Sequence, residues 1–201
     1  MSRLTQQMDF ILAADRLKAV QRQTLLADGT RHENSAEHSW HIALAALVLA
    51  EHAAVKDLDL FRVVQMLLVH DLVEIDAGDT YCYDEAGQAE QPAREAAAAD
   101  RLFALLPADQ AVRLRGLWDD FQAQVSPEAR FAHTLDRVQP LLNNFATQGR
   151  IWRAHGIPRA RVAARQAPAF TAAPAIADYI AELLEEAVRR GYLGDDSEAT
   201  K

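Results

Sequence analysis

The stretch His70-Asp71-Leu72-Val73-Glu74-Ile75-Asp76-Ala77-Gly78-Asp79 decides how this chain is read. A His-Asp pair closes an apolar run that starts at Leu60, and three more carboxylates follow before residue 80. Adjacent imidazole and carboxylate at the inner end of a buried helix offer a divalent cation both nitrogen and oxygen. Glu74 lies one turn beyond the pair, so the helical period puts all three on one face. Between Asp71 and Glu85 stand six carboxylates and no Lys or Arg. Such a cluster repels itself unless it is solvated, protonated or neutralised by a cation.

Outward from this stretch, hydrophobic periodicity predicts about seven helices. The first covers roughly Ser2 to Val20, with Met8, Leu12 and Leu17 on its buried side, and a turn follows at Asp28-Gly29. A second helix starts near Asn34-Ser35 and runs to about Val55. Its middle, Ile42 to Ala50, is apolar all round and reads as a central buried helix. Asp57 or Asp59 caps a third, Leu60 to about Ile75, ended by Gly78. Tyr81 to Gln91 reads as a polar loop, and Pro92 and Pro107 each start a helix. Ser126-Pro127-Glu128 opens the helix that carries His133, Asp136 and Arg137. Residues 153–173 read as one short helix within irregular chain, and Pro174 to Arg190 as a final amphipathic helix stopped by Gly191.

Composition agrees with an all-α class. Of 201 residues, half are hydrophobic and only 8 are Gly and 7 Pro. Ala, Leu, Arg, Gln and Glu dominate, and all favour helix. A single cysteine, Cys82, excludes an intrachain disulfide framework and fits a cytoplasmic protein. The longest apolar run has nine residues, about half of the ~20 that cross a bilayer, so no membrane partner is expected. A formal charge of −8 argues against nucleic-acid polymers, which need basic patches. It leaves room for a small phosphorylated ligand, because a cation and one or two Arg can reverse the potential locally.

Four side chains stand out as metal ligands: His38, His70, Asp71 and Asp136. Glu74 is placed to orient or deprotonate water, and Asp79, just past Gly78, can reach the same cavity from the loop. The order His38, His70-Asp71, Asp136 resembles the HD-domain metal-dependent phosphohydrolases. More narrowly, Glu33-Asn34-Ser35-Ala36-Glu37-His38-Ser39 with His70-Asp71-x-x-Glu74-x-x-x-Gly78-Asp79 is similar to the 5′-deoxynucleotidases and the related HD domain-containing protein 2 family. Arg16-Leu17-Lys18 followed by Arg22 also resembles that family's first-helix motif.

The resemblance implies a compact HD-type helical bundle, here 1–192 as one domain with 193–201 as a disordered tail. It implies one divalent ion (Mn, Co, Fe, Ni, Zn or Mg) on His38, His70, Asp71 and Asp136. Glu74 and Asp79 then handle the protons of the attacking water and the leaving group, and Arg22 contacts the substrate phosphate. The implied activity is release of phosphate from nucleoside 5′-monophosphates, by a homodimer. One departure leaves the sugar preference open: the bacterial deoxynucleotidases follow that Arg with Trp, whereas this chain has Gln23. Hydrolysis of cyclic nucleotides, alarmones or nucleoside triphosphates stays as an alternative. So does a noncatalytic helical module in which the ion stabilises a dimer.

Overall fold

A computed structural model describes residues 1–195. Helix α1 (Arg3–Ala14) is capped by Ser2, whose hydroxyl accepts from the Thr5 amide. The chain then tightens into a 3-10 turn, Asp15–Ala19, and leaves helical structure altogether. Strands β1 (Gln21–Leu25) and β2 (His32–Asn34) form an antiparallel hairpin, with Gln21 opposite Asn34 and Leu25 opposite His32. The expected turn at Asp28-Gly29 is there, and Gly29 has φ +71°, where a side chain would be strained. The expected helix to Val20 is therefore six residues shorter as an α-helix. Its buried face is also corrected: Phe10 and Leu17 are buried, while Met8 and Leu12 are exposed.

Helix α2 (Ser35–Leu49) begins with a capping box. Asn34 accepts from the Glu37 amide at 3.0 Å, and Glu37 accepts from the Asn34 amide at 3.2 Å. The box fixes the start of the helix and so places His38 in its first turn. The apolar middle of α2 is not buried all round: Ile42, Ala43 and Ala46 face the core, whereas Leu44, Leu47 and Val48 are exposed, as is Trp40.

Helix α3 (Leu60–Val69), capped by Asp59, ends at the decisive stretch. There the backbone tightens to a 3-10 turn over His70–Val73, then resumes as a single turn, α4 (Glu74–Ala77), closed by Gly78 at φ +76°. All of His70, Asp71, Leu72 and Val73 are buried. A surface helix of 3.6-residue period cannot bury four consecutive residues; a turn enclosed on every side can. The enclosure comes from two apolar clusters. Met66 and Leu67 belong to one, built on α2, α3 and the later helices, and Val69, Leu72 and Val73 belong to the other. The His-Asp pair sits at the seam.

Helix α5 (Glu85–Phe103) replaces most of the expected Tyr81–Gln91 loop. Asp84 accepts from the Gly87 amide and starts the helix seven residues before Pro92, which is accommodated inside it. Helices α6 (Ala108–Ala123) and α7 (Pro127–Ala146) start where Pro107 and Ser126-Pro127 predict. Residues 153–173 hold more helix than expected: α8 (Arg150–Ala154), α9 (Arg159–Gln166) and α10 (Ala169–Ala172). Helix α11 (Pro174–Arg189) closes the bundle, and Gly191 follows its end. The all-α class holds, divided more finely than about seven helices. Leu193 is buried and Gly194 bridges to Pro158, so packing continues past the boundary expected at 192. Of the expected tail, residues 196–201 lie outside the described residues. Among the described residues no helix is long and apolar enough to cross a membrane.

Candidate metal centre

Three elements deliver the four candidate ligands: α2 brings His38, the 3-10 turn brings His70 and Asp71, and α7 brings Asp136. One ligand atom each from His38, His70 and Asp71 lies within 4.8 Å of the others. Asp136 Oδ1 joins them, 3.0 Å from His38 Nε2 and 3.7 Å from His70 Nε2. Asp71 approaches from the other side, with Oδ1 2.9 Å from His70 Nε2 and Oδ2 4.0 Å from His38 Nε2. Asp136 is thus no surface partner of Arg137.

Both imidazoles are held by their far nitrogens. His70 Nδ1 donates to the Leu67 carbonyl at 2.9 Å, and His38 Nδ1 donates to Gln139 Oε1 at 2.9 Å. Each Nε2 is left facing the carboxylates. His70 Nε2 is buried without a hydrogen-bond partner although Asp71 Oδ1 is close, because the angle between them is wrong for a hydrogen bond. Two electron-rich atoms that converge without bonding each other mark a position for a cation. The donor set of two imidazoles and two carboxylates suits a divalent metal. The residues fit the ion that the sequence implied.

The protonation pattern has clear causes. Burial opposes charge throughout the cluster. At Asp136, the hydrogen bond from His38 and the nearby His70 ring overcome it and hold the carboxyl well below its usual range. At Asp71, His70 and Arg22 do the same. Without a cation, Asp71 and Asp136 outweigh burial at His70 and push it up to about 10. Glu74 behaves oppositely: burial, then the Asp71 charge, raises it well above the usual carboxylate range. Its Oε2 accepts from the buried Ser35 hydroxyl at 2.6 Å. Asp79 is raised for the same two reasons, although Arg22 counters them. Glu74 and Asp79 are raised while Asp71 and Asp136 are lowered, which divides acid–base work from ligation.

Arg22 is not the free cation its sequence position suggested. It projects from β1 into the cluster, 2.9 Å from Asp71 Oδ2, 3.6 Å from Asp79, 3.8 Å from Glu33 and 4.0 Å from Glu74. Burial works against its charge, but Asp71, Glu74 and Asp79 hold it firmly protonated. It supplies much of the neutralisation that the carboxylate run needed. Arg101 pairs with Asp76, and Arg161 with Glu85, on the rim.

Sequence reasoning missed two supporting residues. Gln139, one turn after Asp136 on α7, orients His38 and donates to Glu33 Oε1 at 2.7 Å; Glu33 itself is buried on β2. His41 reaches the centre only through Gln139, 3.1 Å away. The i+3 spacing of Gln139 from Asp136 was the available signal for Gln139; Glu33 stood in the family-like motif, but its role was hidden because the hairpin was not foreseen. His133 is no ligand: its Nε2 donates to the Phe121 carbonyl at 2.8 Å, and its ring stacks on Phe121.

Two cavities meet here. The first is lined by His70, Asp71, Glu74 and Asp136. The second is lined by Tyr81, Tyr83, Leu141, Asn144, Trp152 and Gln166. Arg22, Asp79, Thr80, Cys82, Arg137 and Arg165 border both. Burial pushes the Cys82 thiol up, which keeps it un-ionised and unreactive.

Known proteins resemble the chain in sequence and in fold. The HD domain family model matches residues 14–177. The human protein 5′-deoxynucleotidase HDDC2 (Homo sapiens) is 31% identical over 136 residues, 67% of this chain and 65% of that one. Its Bos taurus counterpart is 32% identical over 136 residues, 67% and 64% of the two chains. The match therefore spans just under two thirds of the length of these relatives. The crystal structure of a predicted metal-dependent phosphohydrolase from Magnetospirillum magnetotacticum MS-1 shares 50% identity and 96% of both chains, with a TM-score of 0.91. A conserved hypothetical protein from Pyrococcus furiosus, 20% identical, covers 90% of this chain and 99% of its own at TM-score 0.61, which shows the shared fold.

Proposed function

The chain belongs to the HD domain family, and from that premise we propose that it is a metal-dependent phosphomonoesterase acting on nucleoside 5′-monophosphates. The observation that carries this reading is the convergence of His38, His70, Asp71 and Asp136 beside the Glu74 and Asp79 carboxyls on an open cavity. The names of the relatives, a 5′-deoxynucleotidase and a metal-dependent phosphohydrolase, support the substrate class.

His38, His70, Asp71 and Asp136 would hold one divalent cation, which supplies Lewis-acid polarisation of a phosphoryl oxygen and acidifies water. The protein's own groups do the rest. Glu74 sits against Ser35 and Arg22, where it can take a proton from the attacking water. Asp79, on the wall shared by both cavities, lies where a leaving oxygen would need a proton. Arg22 bridges Asp71 and Asp79, offsets their repulsion and presents one edge to the phosphate. Gln23 lines the second cavity, where the sugar would lie, so sugar preference is read out by the assay. A homodimer is proposed as well, as the resemblance implies, and the exposed Trp40, Leu44, Leu47 and Val48 stripe of α2 is the surface it would cover. Cytoplasmic residence is proposed with it, on the single cysteine.

The test is phosphate release from paired ribo- and deoxyribonucleoside 5′-monophosphates with Mn²⁺, Co²⁺ or Mg²⁺. EDTA abolishes release, and Glu74→Ala lowers kcat by about 10²–10⁴, the range for a general acid or base. Release that survives EDTA removes the metal assignment. Release unaffected by Glu74→Ala removes the base. If no phosphate ester is cleaved, the noncatalytic reading wins.

A further inference from the structure

The carboxylate cluster poses a charge problem for its proposed substrate. Glu33, Asp71, Glu74, Asp79 and Asp136 surround a single guanidinium, Arg22, which already lies within 4.0 Å of four of them. Even with a divalent cation in place, a phosphomonoester dianion would enter a site with little positive charge to spare. A dianion leaves water only for charge-assisted hydrogen bonds that replace its hydration. The charge has to come from elsewhere on the cavity wall.

Two groups on that wall answer the need. Arg137 on α7 and Arg165 on α9 border both cavities. Arg137 Nη1 donates to the Arg165 backbone carbonyl at 3.2 Å, and its Nη2 to Gln124 Oε1 at 3.5 Å, both neutral acceptors. Arg165 is half-buried, and no hydrogen bond or ion pair of its guanidinium is found among the described residues. Among the described residues neither Arg forms an ion pair, in a chain whose acids outnumber its bases by 29 to 21. Arg137 thus ties α7 to α9 through neutral acceptors, and the positive charge of both guanidinia stays uncompensated. Beyond them, the second cavity is lined by Tyr81, Asn144 and Gln166, each with a buried polar oxygen lacking a hydrogen-bond partner. Buried polar groups are satisfied in all but a few cases, so three on residues lining one cavity point to a polar ligand beside them.

We propose that Arg137 and Arg165 form a phosphate clamp on the wall between the cavities. The pair binds the phosphoryl oxygens of the monoester, which lies between the metal centre and the second cavity, where the leaving group sits. Arg22, by contrast, mainly neutralises the carboxylates. The identity of the anion rests on the phosphomonoesterase reading; the anion site itself does not.

Calorimetric titration of inorganic phosphate into the Mn²⁺-loaded full chain tests this. Arg165→Gln is the main variant, because the half-buried side chain anchors nothing; Arg165→Lys keeps the charge but loses the fork. Arg113→Gln, an exposed site on α6, controls for net charge. The clamp predicts that Arg165→Gln raises the phosphate Kd by about 10- to 100-fold and Arg165→Lys by less. It predicts no effect from Arg113→Gln and unchanged Mn²⁺ affinity in all three. Equal phosphate binding by wild type and Arg165→Gln overturns the clamp, as does a wild type that binds no phosphate. Arg165-dependent phosphate binding without cleavage of any ester would keep the clamp and sink the phosphomonoesterase. Ester cleavage with Arg165-independent phosphate binding would do the reverse.

Discussion

The two cavities that meet at Asp79 differ in charge: Asp71, Glu74 and Asp136 line only the first, and the residues that line only the second are neutral. On the metal side the charged groups are held mostly by one another, and His70 Nε2 is left for the cation. Both imidazoles are fixed by Leu67 and Gln139, and the carboxylates share Arg22. On the shared wall Arg165 has no ion pair among the described residues, and on the far side Tyr81, Asn144 and Gln166 each carry a buried oxygen without a hydrogen-bond partner. One region is organised before anything binds. The other is completed by the ligand. The contrast teaches that the chain sets its chemistry rigidly and leaves recognition open, which is how a preorganised centre can serve several related esters.

Removing a member of the organised side should do the most damage. Asp71→Ala takes a ligand from the cation and the closest partner from Arg22, so activity should fall to the level seen with EDTA. Mn²⁺ binding followed by electron paramagnetic resonance should be lost with it. Retained Mn²⁺ affinity would mean that Asp71 only balances Arg22, and the contrast between the two sides would blur.

One histidine on that side, His133, should resist protonation. Burial pushes His133 down to about 4, whereas the unfolded side chain titrates near 6.5. Between those values the unfolded chain binds the extra proton and the folded one does not. Stability contributed by neutral His133 is thus present above pH 6.5 and is lost as pH falls toward 4. The loss amounts to about 3 kcal/mol. Denaturant titrations at pH 7 and pH 4.5 should show a smaller difference for His133→Leu than for wild type. An unchanged difference would place the acid-sensitive group elsewhere.

A gentler change sharpens the comparison. Gln139→Ala keeps all four ligands but frees the His38 ring and strands Glu33, which should weaken Mn²⁺ binding by about 10- to 100-fold. If affinity holds, Gln139 is only a packing residue and the rigid side is less rigid than its hydrogen bonds suggest.

How much was legible in the sequence follows the same division. His38, His70, Asp71 and Asp136 could be picked out because residue type, order and helical phase all agreed, and the caps at Asn34, Asp59 and Ser126 fixed where their helices begin. The hairpin was not legible. Gln21-Arg22-Gln23-Thr24-Leu25 has neither the β-branched content nor the alternation of a strand, and it is extended because β2 and the turn at Gly29 hold it. With the hairpin went the correct view of Arg22 and Glu33. Pro92 misled for a related reason: a proline permits a helix start, but Asp84 had already capped one. Arg165 was invisible because its meaning lies in the lack of a partner, which only the folded chain reveals.

Anomalous scattering from a crystal of the Mn²⁺-loaded protein tests the central claim most directly. The account predicts one peak about 2.0–2.3 Å from His38 Nε2, His70 Nε2 and an oxygen each of Asp71 and Asp136. A map with no peak there, or with the ion bound while Asp136 points away, would contradict it.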